Sequence, residues 1–187
     1  MLPDLPPDLW TAATRSPFLD GVRDGSLDPG VLDVWLAQDA RFVADLLAFQ
    51  ARLLARAPRP AQAVLAAGCT ALVAELDWFT DLAARRGLSL DVAPLPATRA
   101  YADLLQRLDA APYVDAVAAL WVLERVYLDA WSGVRPGAEP YRELVEHWTV
   151  PEFARYVADL EVLADAQADP ALLREVLELE AAFWPVP

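Results

Sequence analysis

Cysteine and histidine are almost absent from this chain of 187 residues: there is one of each, Cys69 and His147. One cysteine permits no intramolecular disulfide. One histidine cannot supply the paired Glu-x-x-His elements of a di-iron bundle, and no Glu-x-x-His occurs anywhere. His147 follows Glu143 at a helical spacing of four, yet alone, with Cys69 far away in sequence, it cannot complete a zinc set. It is also the single conventional axial ligand for a haem, and the pattern puts it near a helix end. No metal and no cofactor are expected. His147 reads as a structural or surface residue, and Cys69, within Ala66-Ala-Gly-Cys69, as a small core residue.

Positive charge is scarce too. Fifteen Lys and Arg face 28 Asp and Glu, a net charge of −13. Binding to nucleic acid needs a Lys/Arg surface that this chain lacks, and an acidic chain is repelled by anionic membrane surfaces. Long apolar runs are missing. Hydrophobic residues make up 56% of the chain, but many are alanine, and a run such as Ala116 to Leu123 stops at Glu124. No stretch approaches the roughly 20 uninterrupted apolar residues of a membrane span. The first residues, Met1-Leu-Pro-Asp-Leu-Pro-Pro, have neither a basic nor an apolar segment of a secretory signal, so the expected location is cytoplasmic. β-branched residues are few and never alternate over a useful length, which leaves no strand signal.

What is present is helical periodicity, punctuated by 16 prolines. A first helix is expected over Pro6–Arg15, broken at Ser16-Pro17, with a turn-rich patch from Asp20-Gly21 to Gly30. Asp28-Pro29 then starts a helix to about Ala57. Pro60 to Arg86 follows, closed by Gly87. Ala97 to Leu108, Pro112 to Trp131 and Pro140 to Trp148 are the next three. Thr149 is read as the cap of a helix from Val150 to Ala166, and Asp169-Pro170 as the start of a last one reaching Trp184. The expectation is an all-α bundle of seven to eight helices, in a single domain over residues 1–187.

The informative feature is carboxylates on apolar helix faces. One stripe runs Leu32, Trp35, Leu36, Phe42, Val43, Leu46, Phe49, and Asp39 falls on it. Another runs Val117, Leu120, Trp121, Tyr127, Leu128, Trp131, with Glu124 in the gap. In the last helix Val176 and Leu177 precede Glu180, and Phe183 and Trp184 follow it. Leu72, Glu75, Leu76 and Phe79 give a fainter fourth case. A carboxylate resists burial unless it is paired or hydrogen-bonded. Any one of these could sit at the solvent edge of a broad stripe. Taken together, with aromatics beside each, they point to a metal site or an acid/base site inside a helical bundle. The histidine count weighs against the metal. A pocket of carboxylates and aromatics suits a flat, protonatable heterocycle, whose ring stacks on aromatic faces while a carboxylate takes its N–H donors. No Gly-x-Ser-x-Gly, phosphate loop or dinucleotide fingerprint occurs.

Several segments resemble the TenA (thiaminase II) family. Ser16-Pro-Phe-Leu-Asp-Gly-Val-Arg-Asp-Gly-Ser-Leu27 is similar to its opening motif, and Leu36-Ala-Gln-Asp39 to its "LxQD" helix. Pro96-Ala-Thr-Arg-Ala-Tyr101 resembles its "P-x-T-x-x-Y" segment. Ala118-Ala-Leu-Trp-Val-Leu-Glu-Arg-Val-Tyr127 resembles its active-site helix. Tyr141 to Phe153 and Glu180-Ala-Ala-Phe-Trp184 are similar to its closing helices. The order and spacing of these motifs span nearly the whole chain.

The resemblance implies the haem-oxygenase-like helical fold. It also implies that Asp39 holds an aminopyrimidine ring, that Glu180 faces the pyrimidine and serves catalysis, and that Tyr127 lines the site. The thiaminase branch has a nucleophilic cysteine four residues before that tyrosine, where this chain has Leu123. Glu124, one residue on, resembles the branch in which Glu replaces the cysteine. Two tyrosine positions become Phe42 and Trp148, each losing a hydroxyl. The resemblance therefore implies an enzyme of thiamin pyrimidine salvage that hydrolyses an amino- or formylamino-methyl pyrimidine by carboxylate acid/base chemistry. Glu180 and Glu124 would be catalytic, and Asp39, Phe42, Tyr127, Trp148 and Glu75 would bind substrate. A non-catalytic pyrimidine-binding or regulatory protein on the same scaffold is the alternative. An oxidase or oxygenase of the same fold is disfavoured by the lack of histidine. Relatives are commonly dimers or tetramers, so a homo-oligomer is expected.

Overall fold

A computed structural model describes residues 5–164 and 167–186. Among these residues there are nine α-helices, one 3-10 turn and no strand. The helices are α1 Pro7–Thr14, α2 Pro17–Asp24, α3 Pro29–Arg56, α4 Arg59–Arg86, α5 Pro96–Ala110, α6 Tyr113–Ser132, α7 Arg142–His147, α8 Pro151–Leu163 and α9 Pro170–Phe183, with the 3-10 turn at Glu139–Tyr141 before α7. Proline occupies the first turn of α1, α2, α4, α5, α8 and α9, where its missing N–H has no helical partner to lose.

Two local expectations are corrected. The stretch after Ser16-Pro17 is a helix, not a patch of turns. Ser16 caps α2 by accepting from the Leu19 N–H at 3.2 Å, and Gly25, with φ +87°, closes it in the left-handed conformation. Thr149 is not the cap of α8. Its hydroxyl donates back to the Val145 carbonyl at 2.6 Å, and the residue preceding α8 is Val150, which makes no side-chain cap bond. The expected end of that helix, Ala166, lies outside the described residues. At α9 the expectation holds: Asp169 accepts from the Ala171 N–H at 2.9 Å.

The chain divides into two compact units, one of residues 30–116 and the other of the described residues up to 29 together with 117–186. The 30–116 unit contains α4, α5 and nearly all of α3. Its core is built from Trp35, Leu36, Leu46, Phe49 and Leu53 of α3, Leu65, Phe79 and Leu82 of α4, and Tyr101, Leu104 and Leu108 of α5. Gln38, 4% exposed, clamps the segment leading into α5. Its Nε2 donates to the Ala93 carbonyl at 3.1 Å, while Oε1 accepts from the Leu95 N–H at 2.8 Å and the Thr98 hydroxyl at 2.6 Å. At the far end of α3, Arg56 donates to the Leu108 and Ala111 carbonyls, satisfying the last turn of α5.

Helix α4 is tied to α3 by two polar contacts. Gln50 donates to the Leu65 carbonyl at 3.0 Å, and Arg86 pairs with Asp33 at 2.6 Å. By length and composition α4 is apolar enough to cross a membrane, yet only 22% of its most apolar 18-residue stretch is buried. Its apolar character comes largely from alanines rather than from a run of large side chains. Cys69 is half-buried there instead of lying in the core, and burial pushes its thiol above the ordinary value.

In the other unit α1 packs on α9, and the Trp184 indole N–H donates to the Ala13 carbonyl at 2.7 Å at the end of α1. The Ala138 N–H donates to the Val22 carbonyl at 3.0 Å, and the Tyr141 hydroxyl donates to the Leu27 carbonyl, so the turn before α7 is tied to α2 and the loop after it.

Two outcomes follow from this packing. Gln38→Leu strands two donors and one acceptor, and is expected to lower stability by about 2–3 kcal/mol in urea denaturation. Because the Cys69 thiol is held in its neutral form to higher pH than usual, iodoacetamide should alkylate it several-fold more slowly at pH 8 in the folded protein than in urea. Its rate should still be rising above the pH at which an ordinary thiol levels off.

Candidate functional site

Burial of a charge is the sharpest structural test of the candidate residues. Among the described residues, the buried polar side chains are Gln38, Asp39, Gln50, Thr98, Glu124, Thr149 and Glu180. Three of these are ionisable: Asp39 at 1% exposure, Glu124 at 7% and Glu180 at 5%. Among the described residues no Arg, Lys or His is itself buried. They are the three carboxylates that interrupt the apolar stripes of α3, α6 and α9. Glu75, the faintest of the four, is half-buried on α4.

In the 30–116 unit Asp39 sits in the middle of α3, between Trp35 one turn before and Phe42 one turn after, both buried. Phe42 packs against Tyr101 of α5, ring centroids 4.7 Å apart and planes tilted by 56°. Tyr101 is 1% exposed. It lies in the Pro96–Tyr101 motif, but periodicity gave no reason to single it out. Gln38, the residue before Asp39, fixes the entry of α5 to α3 by the three hydrogen bonds described above.

In the other unit α6 carries Glu124 and, one turn on, Tyr127, which is half-buried. Tyr127 stands edge-on to Trp148, centroids 5.7 Å apart, and to Phe153 of α8 at 6.3 Å. Trp148 in turn lies 4.3 Å from Trp131 of α6. Trp131 meets Trp184 at 6.2 Å, and Trp184 meets Phe18 of α2 at 5.8 Å. The Trp131–Trp184 contact ties together the two helices that hold Glu124 and Glu180, since Glu180 is one turn before Trp184. Trp131 shares the stripe of Tyr127, and Phe153 the motif of Trp148; only the three-dimensional contacts single them out.

Leu123, where a cysteine nucleophile would stand, is 3% exposed and offers no chemistry. Cys69 is on α4, in the 30–116 unit, with its thiol held neutral. Among the described residues no group of three or more His, Cys, Asp or Glu is gathered closely enough to hold a metal ion. What the site residues can offer is carboxyl groups taken out of water, able to exchange protons or accept N–H donors, beside aromatic faces able to stack on a flat ring.

Comparison with known proteins bears on the chain as a whole. A family model described as the TENA/THI-4/PQQC family matches residues 7–185. A soybean (Glycine max) protein described as "Probable bifunctional TENA-E protein" is 31% identical over 198 residues, covering 94% of this chain and 86% of that protein. The structure of a TenA homologue from Pyrococcus furiosus superposes with a TM-score of 0.88 at 25% identity, covering 95% of this chain and 93% of that one. A protein from Sulfolobus solfataricus described as a candidate TenA-like thiaminase has the same fold, with a TM-score of 0.82 at 18% identity over 95% of this chain and 89% of its own. The match runs almost end to end, and with it the chain belongs to the TENA/THI-4/PQQC family and has the all-helical, haem-oxygenase-like fold of its TenA members.

Proposed function

We propose that this protein is a hydrolase of thiamin pyrimidine salvage that acts on an amino- or formylamino-methyl pyrimidine without a cysteine nucleophile. Family membership and a thiaminase-like structural relative support the general role in thiamin salvage. One observation carries the finer reading. The buried ionisable side chains among the described residues are Asp39, Glu124 and Glu180, and each stands where the TenA resemblance assigns a role. Buried carboxylates are costly, and without a function a core of this kind would be more stable with apolar residues in their place.

In this reading Asp39 anchors the ring, its carboxyl facing the exocyclic amine and the adjacent ring nitrogen, while Phe42, Tyr127 and Trp148 provide aromatic faces. Glu75 stands at the margin. Glu124 orients and deprotonates a water molecule. With an aminomethyl substrate the water oxygen bonds to the methylene carbon as the C–N bond breaks. Glu180 gives its proton to the leaving nitrogen, and the products are ammonia and the hydroxymethyl pyrimidine. With a formylaminomethyl substrate the water adds to the formyl carbon, and the products are formate and the aminomethyl pyrimidine. Glu124 takes the place of the missing thiolate, which directs the chemistry away from cleavage of intact thiamin.

The lost hydroxyls at Phe42 and Trp148 favour a second reading, a protein that binds the pyrimidine without turning it over. Purified protein with both pyrimidines decides between them. The expected outcome is release of ammonia or formate, with Glu180→Gln lowering kcat by about 10²–10⁴-fold at little change in KM. Asp39→Asn should instead raise KM and reduce the thermal stabilisation given by the pyrimidine. Stabilisation without product supports the binding protein. Neither product nor an effect of Glu180→Gln or Asp39→Asn on ligand-induced stabilisation would sink both readings.

A further inference from the structure

Trp121 lies on the stripe of α6 that carries Glu124, and the proposed chemistry gives it no part. It is 4% exposed, and among the described residues its buried indole N–H has no acceptor. Leaving such a donor unsatisfied is costly, and native cores seldom do so. The same unit shows the usual arrangement at Trp184, whose indole N–H donates to the Ala13 carbonyl at 2.7 Å. The neighbours of Trp121 along its helix cannot accept instead: Val117, Ala118 and Val122 are fully buried and apolar. Arg125, one turn on, is itself a donor and is held by Asp129 at 3.0 Å and Glu161 at 3.5 Å. Glu124 follows Trp121 by three residues, so the two side chains are neighbours on one side of α6. Long side chains on a helix lean toward its N-terminus, which brings Glu124 over the turn that carries Trp121. An arginine at this place would pair with Glu124 and occupy it. An indole carries no charge and only donates, so it can polarise an oxygen beside a carboxylate that still accepts a proton.

We infer that Trp121 is the oxyanion donor of the site and makes the formylaminomethyl pyrimidine the preferred substrate. The inference rests on the hydrolase reading proposed above. The formylamino compound brings an acceptor, its carbonyl oxygen, on the very carbon that is attacked. The aminomethyl compound brings none there, because its amine lone pair must receive the proton of Glu180. As Glu124 takes a proton from water, the water oxygen bonds to the formyl carbon. The π pair of the carbonyl moves onto its oxygen, which becomes an anion accepting the Trp121 N–H. When that pair re-forms the carbonyl, the C–N bond breaks and its electrons take the proton of Glu180 onto nitrogen. Formic acid and the aminomethyl pyrimidine leave, and exchange with solvent returns both carboxyls to their starting forms. The donor is fixed in the core before substrate arrives, so little reorganisation opposes the charge as it develops.

Formate and ammonia released by the full chain with each pyrimidine test this. The unaltered protein should have the higher kcat/KM with the formylamino compound. Trp121→Phe keeps an aromatic ring and removes the N–H. It should lower kcat for that compound about 10²-fold with KM little changed, and slow turnover of the aminomethyl compound by no more than a few-fold. A second measurement does not depend on that variant folding. In Glu180→Gln protein carrying isotope-labelled tryptophan, one of the seven indole N–H resonances should move downfield with the formylamino compound and stay in place with the aminomethyl compound. Formate released undiminished by Trp121→Phe would overturn the inference. So would an equal loss with both substrates, the mark of a purely structural role, or indole resonances that all stay in place. A protein that releases ammonia but no formate keeps the hydrolase reading and loses this inference, and one that releases neither loses both.

Discussion

A carboxylate cannot be left in an apolar helix face without something to offset the loss of its water. That constraint shapes the residues around Asp39, Glu124 and Glu180. Each sits on a long or well-anchored helix rather than on a loop, and large aromatic side chains flank each one in sequence. Next to Asp39, Gln38 holds the entry to α5 through hydrogen bonds with Ala93, Leu95 and Thr98. A helix fixes a side chain's direction to within the choice of a rotamer, and packed aromatics restrict that choice further. The sites that cost most to bury are therefore also the ones whose geometry is most tightly prescribed.

The aromatic network of the unit that includes α6 and α9 can be understood the same way. Trp131 stands at its centre, touching Tyr127, Trp148 and Trp184. Such contacts between large rings add to the burial of their area and prefer tilted or edge-on geometries, which is what is seen here. The exchange of a tyrosine for Trp148 removes a hydroxyl but extends this network. The exchange at Phe42 likewise leaves a ring packed on Tyr101. Phe42 and Trp148, which the resemblance reads as replaced tyrosines, each keep an aromatic ring and lack a hydroxyl.

Much of this was legible in the sequence because prolines and one-turn spacings are local signals. The starts of α3 at Pro29, α5 at Pro96 and α9 at Pro170 could be placed to within a residue. The carboxylates stood out because a period of 3.6 residues makes a misplaced acid visible without any knowledge of the fold. The errors arose where one residue supports opposite readings. Ser16-Pro17 looks like a break but is a cap followed by a first-turn proline. Thr149 looks like a cap but spends its hydroxyl on the preceding turn. The clamp by Gln38 and the ring contact of Tyr101 join residues distant in sequence, and no periodicity encodes such pairs.

Helix α4 shows most clearly what composition alone cannot decide. Alanine is compatible with a core, a membrane or a helix–helix seam, because it favours the helix and adds little surface of either kind. What separates these environments is where the charges fall around the helix. A core helix would bury more than one side of α4, and a membrane span would tolerate no acid in the middle of its exposed face. On α4 one side is packed and the other is neutral along its first half, with an arginine at one end and two aspartates toward the other. That arrangement is polar along the helix axis. The alanines fix the helix, and the position of the charges around it narrows the environments its exposed side can meet.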